Sequence, residues 1–165
     1  DSKNSGLEII LVSSGAIAMG VGKLGLNEKP RDIPTKQAAA AIGQCELMYI
    51  YDKLFQEHNH TVAQILMTGA DFEHNERFEN FQNTLNRLIE LGVLPIINEN
   101  DTIATAEIKV GDNDTLSAIT AVVTTFIKPS FSVISIVPDA FCGNLSSCNL
   151  YPTISFPVVV YESPL

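Results

Sequence analysis

The chain has 165 residues, of which 45 % are hydrophobic and 18 % are charged, and its formal net charge is −9. A chain of this length and composition fits one domain with a buried core and is too apolar for intrinsic disorder. No basic stripe is present for contacts with nucleic-acid phosphates, and no apolar run reaches the ~18 residues of a membrane span. We therefore expect neither a nucleic-acid partner nor a membrane.

The first third of the sequence alternates short apolar runs with helical patterns. The run Leu7–Val12 is typical of a strand buried on both faces, and the small-residue segment after it is predicted to be helical until Gly25. A long helix is predicted from an N-cap at Thr35 to His58, followed by the strand TVAQILM. The apolar stripe of the long helix is expected to consist of Ile42, Cys45, Tyr49, Tyr51, Leu54 and Phe55.

The pattern continues in the middle of the chain. An amphipathic helix is predicted over Asn75–Glu90 and a third strand over VLPII, with Gly92 between them. A polar loop is predicted over Asn98–Asp114, followed by a helical segment over Thr115–Thr125. Strands that alternate with helices of ten or more residues predict an α/β fold, here a three-layer αβα sandwich with a mainly parallel sheet.

The last forty residues differ in character. They contain three charged residues (Lys128, Asp139 and Glu162) but five of the eight prolines and two of the three cysteines. Their short apolar runs suit either strand-rich structure or a tail outside the fold. We expect the tail, and we assign residues 1–125 to a partial domain and 126–165 to an atypical, non-cognate extension.

The three cysteines carry a prediction about location. Cys45, Cys142 and Cys148 do not have metal-ligand spacing. Unpaired thiols in an acidic chain are typical of proteins in a reducing compartment. We therefore expect a cytoplasmic protein, and the cysteines offer no metal-ligand set.

Polar residues follow the first predicted strand, where ligands bind in open α/β sheets. Gly15 permits a sharp turn that lets backbone N–H groups approach a ligand, and Ser14 adds a hydroxyl group. The structural alternative is that Ser13 or Ser14 simply caps the following helix.

A longer polar segment, NENDTIATAEIKVGDND, follows the third predicted strand. Its carboxylates and amides suit recognition of an ammonium group or a hydrated Mg²⁺, and Lys109 can oppose a carboxylate or a phosphate. The structural alternative is a solvated hairpin that is rich in turn-forming residues.

One motif is rejected. GVGKLG, from Gly20 to Gly25, matches G-x-G-x-x-G but does not open a helix directly after a strand, as a dinucleotide-binding fingerprint must. No P-loop signature occurs in the sequence either.

Five blocks of the sequence resemble consecutive blocks of glutamate 5-kinases, a domain also found in the front half of pyrroline-5-carboxylate synthases: VSSGAIAMG, KQAAAAIGQ, QILMT, ERFENFQNTL and INENDTIATAEIKVGDNDTLSA. The resemblance covers about Leu7 to Ala121. It implies an amino-acid-kinase fold and transfer of a phosphoryl group from Mg-ATP to the side-chain carboxylate of L-glutamate, giving γ-glutamyl phosphate. That reaction is the first step of proline biosynthesis, and the resemblance also implies feedback inhibition by proline and a homo-oligomer.

The resemblance assigns residues to a glutamate site. Three are implied to bind glutamate: Ser14, Asp101 (at the amino end) and Asn113. Four more lie in the same blocks and are expected to line the site: Gly15, Asn98, Lys109 and Asp114.

The chain also departs from the family pattern. The family's first strand, with a phosphate-handling lysine, would precede Asp1, and its later ATP-binding segments, with a second lysine, are replaced by FIKPSFSVIS. We therefore expect a fold incomplete at both ends and assign no catalytic residue. An alternative stays open in which the chain only binds glutamate or proline, or associates with a full-length kinase.

Overall fold

The computed structural model of the chain describes residues 8–104, 116, 120, 131–136 and 158–162. The strands within these residues are β1 (Glu8–Val12), β2 (Val62–Met67), β3 (Leu94–Glu99), β4 (Phe131–Ile136) and β5 (Val158–Glu162). The helices are α1 (Ala16–Leu24), α2 (Ile33–Gln56), α3 (Gly69–Glu73) and α4 (Asn75–Glu90).

The five strands form one sheet in the order β2–β3–β1–β4–β5. β1 lies between β3 and β4 and is parallel to both, β2 is parallel to β3, and β5 alone is antiparallel to its neighbour. A central position suits β1 because its apolar side chains can be buried on both faces of the sheet. The mainly parallel sheet predicted from the sequence is confirmed.

Helices cover both faces of the sheet. Because successive side chains of a strand point to opposite faces, neighbouring residues of β1 contact helices on opposite sides. On one face, Ile10 belongs to an apolar cluster that includes Leu85 of α4. On the other face, Leu11 belongs to a cluster with Leu47 and Tyr51 of α2. This arrangement confirms the predicted αβα layering.

Helices α1 and α2 approach each other at two glycines. A β-carbon on Gly20 would lie 1.8 Å from the Ala39 carbonyl oxygen, and one on Gly43 would lie 1.7 Å from the Ala16 carbonyl oxygen. Such contacts are possible only where the side chain is a hydrogen atom. The packing of α1 on α2 therefore accounts for the first glycine of the rejected GVGKLG motif.

Two helix boundaries follow the sequence prediction and one does not. The predicted helix Asn75–Glu90 is found with the same bounds, and α1 ends before Gly25, which has the left-handed φ of 65°. The prediction of Thr35 as an N-cap is wrong: α2 begins at Ile33, and the Asp32 carboxylate accepts a hydrogen bond from the Thr35 backbone N–H at 2.9 Å.

The short helix α3 was not predicted from the sequence. Thr68 caps it, and the Asp71 carboxylate accepts a hydrogen bond from the Thr68 backbone N–H at 2.7 Å in a capping box. Of the predicted helix over 115–125, Leu116 and Thr120 are helical, and the other positions lie outside the described residues.

The last third of the chain contributes β4 and β5 to the sheet. Phe131–Ile136 pairs in parallel with Glu8–Val12, and Val158–Glu162 pairs with β4. The boundary at residue 125 and the non-cognate origin of the residues after it stay predictions. Among the residues that the structure describes, none of the helices combines the length and apolar character needed to cross a membrane.

Candidate functional site

The carboxyl ends of β1 and β3 lie side by side. Leu11 is in register with Ile96 and Val12 with Ile97, and the Ser13 N–H donates a hydrogen bond to the Ile97 carbonyl oxygen at 2.8 Å. Each strand is followed at once by a polar segment. The structure thus brings the turn after β1 and the described start of the second polar segment, residues 98–104, to the same edge of the sheet.

The turn after β1 leaves the start of α1 without a side-chain cap. Gly15 occupies the N-cap position with φ 95°, a left-handed conformation that favours glycine, and no side chain caps the helix there. The Ser13 hydroxyl is instead hydrogen-bonded to the Tyr51 hydroxyl at 2.8 Å, in a buried position. The capping alternative for Ser13 and Ser14 is therefore wrong, and half-buried Ser14 lies beside a helix start whose N–H groups suit an anionic group.

The turn after β3 is held by main-chain hydrogen bonds. The Asn100 N–H donates to the Met67 carbonyl oxygen at 2.8 Å, which ties the end of β3 to the end of β2. The Asn100 carbonyl oxygen accepts from the Ala104 N–H at 3.0 Å. Asp101 is half-buried within this turn. Residues 105–114 of the segment lie outside the described residues, so the hairpin alternative stays open.

A small recess, partly open to solvent, lies between these turns and α2. It is lined by Ala16, Ala40, Gln44, Leu66, Glu99, Asn100, Asp101 and Thr102. Burial raises the pKa of the Asp101 carboxyl above its usual range. A cation that binds beside a half-buried carboxylate stabilises its charged form, so the recess suits an ammonium group.

Asn98 is buried beneath the recess. It is 2 % exposed, and its Nδ2 donates a hydrogen bond to Gln44 Oε1 at 2.7 Å. Its own Oδ1 accepts from the Glu99 backbone N–H at 2.9 Å. Asn98 does not line the recess itself, but it holds Gln44, which does line the recess.

Gln44 is a site residue that sequence reasoning missed. It lies in the block KQAAAAIGQ, which carried the family resemblance but received no role. A polar side chain on the same helix face as Leu47 and Ala40 was the available signal, because a buried amide in an apolar stripe calls for a partner.

The predicted residues have three different outcomes. Ser14, Gly15 and Asp101 lie at the edge of the sheet where a ligand would bind, and Asn98 lies beneath it. Three lie outside the described residues, so their predicted roles stay predictions: Lys109, Asn113 and Asp114.

Comparison with known proteins gives a consistent set of relatives. A glutamate 5-kinase of Moorella thermoacetica is 54 % identical over 121 residues, which cover 73 % of this chain and 32 % of the relative. One of Clostridium tetani is 58 % identical over 118 residues, 72 % of this chain and 44 % of the relative. One of Caldanaerobacter subterraneus is 55 % identical over 118 residues, 72 % of this chain and 32 % of the relative.

The matched part of the chain spans 32 % to 44 % of the length of these curated relatives. A family model described as "Amino acid kinase family" matches residues 1–124, most of the chain. The mainly parallel sheet between two helix layers and the polar turns at its carboxyl edge agree with that match. The chain belongs to the amino acid kinase family.

Proposed function

We propose that this chain forms the glutamate-binding part of an ATP-dependent glutamate 5-kinase. The product is γ-glutamyl phosphate, made in the first step of proline biosynthesis. The observation that carries the proposal is the half-buried Asp101 carboxylate in a recess beside the Ser14–Gly15 turn. The identity to glutamate 5-kinases over most of the chain supports the choice of substrate.

The recess has the groups that an amino acid requires. Asp101 can accept hydrogen bonds from the α-ammonium group of glutamate, and the uncapped start of α1 beside Ser14 can receive a carboxylate. Binding the ammonium group would favour the charged form of Asp101, which burial disfavours in the free chain. Asn113 belongs to the same proposal through the family resemblance.

The recess does not fit the triphosphate of ATP. None of its eight lining residues is cationic, whereas phosphoryl transfer depends on positive charge around the phosphate oxygens. Within the described residues, no group of three potential metal ligands is present to hold Mg²⁺. We therefore propose that ATP and Mg²⁺ are held by other parts of the full-length enzyme, and that the described residues hold and orient the amino acid.

The proposal is tested with the purified 165-residue chain. Calorimetric titration with L-glutamate should show saturable binding, and Asp101→Asn should abolish it. L-Glutamine, which lacks the side-chain carboxylate, and D-glutamate are the ligand controls. If L-glutamate binds no better than D-glutamate, the proposed glutamate site is wrong.

A second candidate is favoured by the cation-free recess. In it, the chain binds glutamate or proline without phosphoryl transfer, or associates with a full-length kinase. Formation of γ-glutamyl hydroxamate from glutamate, ATP and hydroxylamine separates the two candidates. Turnover by the purified chain favours the kinase, and glutamate binding without turnover favours the binding protein.

Three further properties belong to the proposal through the family resemblance. They are inhibition by proline at or near the glutamate site, assembly into a homo-oligomer and a cytoplasmic location. Competition between proline and glutamate in the same titration tests the first of them. Sedimentation of the chain at increasing concentration tests the second.

A further inference from the structure

A chain of hydrogen bonds fixes the orientation of the Gln44 side chain. The Glu99 backbone N–H can only donate, so the oxygen of the Asn98 amide must face it, as it does at 2.9 Å. The Asn98 nitrogen must then face Gln44, to which it donates at 2.7 Å. Because this contact requires an acceptor on Gln44, Oε1 must accept the hydrogen bond. Nε2 is then the amide atom that does not take part in it.

Gln44 is only 8 % exposed, and its Nε2 atom is buried. This atom nevertheless has no hydrogen-bond partner within the described part of the chain. Leaving a buried donor unpaired is unfavourable, and native proteins rarely do so without a reason. Gln44 also lines the recess next to Asp101. A donor that the protein leaves unpaired beside its candidate ligand site points to an acceptor on the ligand.

We propose that Gln44 Nε2 donates a hydrogen bond to the α-carboxylate of the bound amino acid. The inference rests on the proposed function, and it makes Gln44 a substrate-binding residue and Asn98 the residue that positions it. The α-carboxylate is chosen because it shares a carbon atom with the α-ammonium group, which Asp101 is proposed to bind in the same recess. The other polar residues close to that position include Glu99, whose carboxylate would repel it.

An uncharged donor suits this position. A lysine or arginine would pair with Asp101 in the free chain and would compete with the ligand's ammonium group. A glutamine amide can receive the α-carboxylate and leave the Asp101 charge available.

The test compares two ligands and two variants of the 165-residue chain. L-Glutamate carries the α-carboxylate, and 4-aminobutyrate has the amine and the other carboxylate but lacks it. Gln44→Met keeps the length of the side chain and removes the donor. Gln56→Met is the matched control, because it is exposed at the last residue of the same helix, about 18 Å away along the axis.

Gln44→Met should weaken L-glutamate binding about tenfold or more, since a hydrogen bond to a charged group is lost. The same change should leave the affinity for 4-aminobutyrate unaltered, and Gln56→Met should alter neither affinity. If Gln44→Met weakens both ligands equally, or neither, the contact with the α-carboxylate is wrong. Such a result leaves the proposed function standing, whereas failure of the unmodified chain to bind L-glutamate removes both.

A second measurement follows ligand binding in the unmodified chain. In the unmodified chain, the Gln44 side-chain NH₂ gives a pair of ¹H–¹⁵N resonances that Gln44→Met identifies by their disappearance. L-Glutamate should shift this pair and 4-aminobutyrate should not. If saturating L-glutamate shifts backbone resonances around Asp101 and leaves the pair unmoved, the inference is overturned.

Discussion

Gly43 of α2 lies against the backbone of Ala16 in α1, so closely that a β-carbon on Gly43 would stand 1.7 Å from the Ala16 carbonyl oxygen. Ala16 is the first residue of α1, and it lines the recess. Gln44 follows Gly43 directly and lines the same recess. This single contact therefore sets the start of one helix and the ligand-facing amide of another at a fixed separation.

Enlarging either glycine at this helix contact should destabilise the fold. Gly43→Ala and Gly20→Ala each place a methyl group inside backbone atoms of the facing helix, so α1 and α2 must separate. We expect each to lower the free energy of unfolding by about 1–3 kcal/mol, measured by urea denaturation.

Gly22→Ala is the matched control for that change. Gly22 is exposed in the same helix as Gly20, and a β-carbon there would meet nothing within 4 Å. Because alanine is the better helix former, this variant should gain about 0.5–1 kcal/mol. Equal effects of Gly20→Ala and Gly22→Ala would contradict the close packing of the two helices.

The buried pair of hydroxyls on Ser13 and Tyr51 should respond unequally to loss of either partner. Ser13→Ala leaves the Tyr51 hydroxyl, on a side chain that is 4 % exposed, without its partner. Tyr51→Phe leaves the Ser13 hydroxyl, which can still donate to the Ser14 carbonyl oxygen at 3.4 Å. We expect Ser13→Ala to lower the free energy of unfolding by about 1–3 kcal/mol. Tyr51→Phe should lower it less, because the remaining hydroxyl group keeps an acceptor.

A double-mutant cycle checks this expectation through urea denaturation of the two single variants and the double variant. Contacting residues show non-additive effects, so the double variant should be more stable than the sum of the single losses predicts. Strict additivity would show that the hydroxyl pair contributes nothing of its own.

Asp101 should make glutamate binding depend on pH. Burial raises the pKa of its carboxyl, so protonation begins at a higher pH than for an ordinary aspartate. The protonated form cannot pair with the ammonium group of glutamate, and the dissociation constant should therefore rise as the pH falls toward that raised value. Titration calorimetry from neutral to acidic pH measures this change, and Asp52→Asn, an exposed position on α2, should leave the profile unaltered.

The same pKa shift predicts an opposite effect on stability. The folded chain favours the protonated form of Asp101 more than the unfolded chain does, so the charged form destabilises the fold above the folded-state pKa. Asp101→Asn should therefore raise the urea midpoint at pH 7 while abolishing glutamate binding. The gain should vanish below the unfolded-state pKa, where Asp101 is protonated in both states. A loss of stability at pH 7 would show that Asp101 is structural.

Two substitutions identify the residue that caps the start of α2. The Asp32 carboxylate accepts a hydrogen bond from the Thr35 backbone N–H. Hydrogen bonding to the Thr35 side chain, and then to its backbone N–H, lowers the pKa of Asp32. Asp32→Ala should lower the urea midpoint, and Thr35→Ala should lower it less, because the backbone N–H of residue 35 is retained. The reverse order would restore Thr35 as the cap. Because the pKa of Asp32 is lowered, the contribution of the cap should be lost as the pH falls through that lowered value.

The sequence predicted secondary structure correctly where a segment had regularly spaced apolar residues and clear terminal signals. The helix Asn75–Glu90 was found with the predicted bounds because apolar residues recur at helical spacing, as Phe81 and Leu85 do in the core. Strand β1 was predicted from an apolar run that suits burial on both faces. These signals are local, and they need no knowledge of distant residues.

The buried face of α2 was predicted only in part: Tyr51 is buried and Phe55 packs against the same core cluster, as expected. Large apolar residues were expected inside, yet Tyr49 is 54 % exposed and Leu54 is 52 % exposed. The face that packs on α1 is made of small residues, including Ala39 and Gly43, which let the two backbones touch. Hydrophobicity patterns favour large side chains and therefore overlook a contact that depends on having almost none.

The candidate site was predictable only in part for a different reason. Asp101 and Ser14 follow strands, so their meeting at one edge of a parallel sheet could be expected from the sequence. Gln44 could not be assigned, because its hydrogen-bond partner Asn98 lies 54 positions away in the chain. A pattern within one helix does not reveal which buried amide will have one end paired and the other left for a ligand.

The position of β1 between β3 and β4 has a consequence for the chain as it leaves the ribosome. One side of β1 can pair once β3 has emerged, but the strand on its other side is Phe131–Ile136, which is made much later. Roughly thirty further residues must be added after β3, which takes about two to six seconds at ordinary rates of synthesis. During that interval β1 presents a row of unpaired backbone groups to other nascent chains, so the middle of the finished sheet is, for a time, an open edge exposed to aggregation.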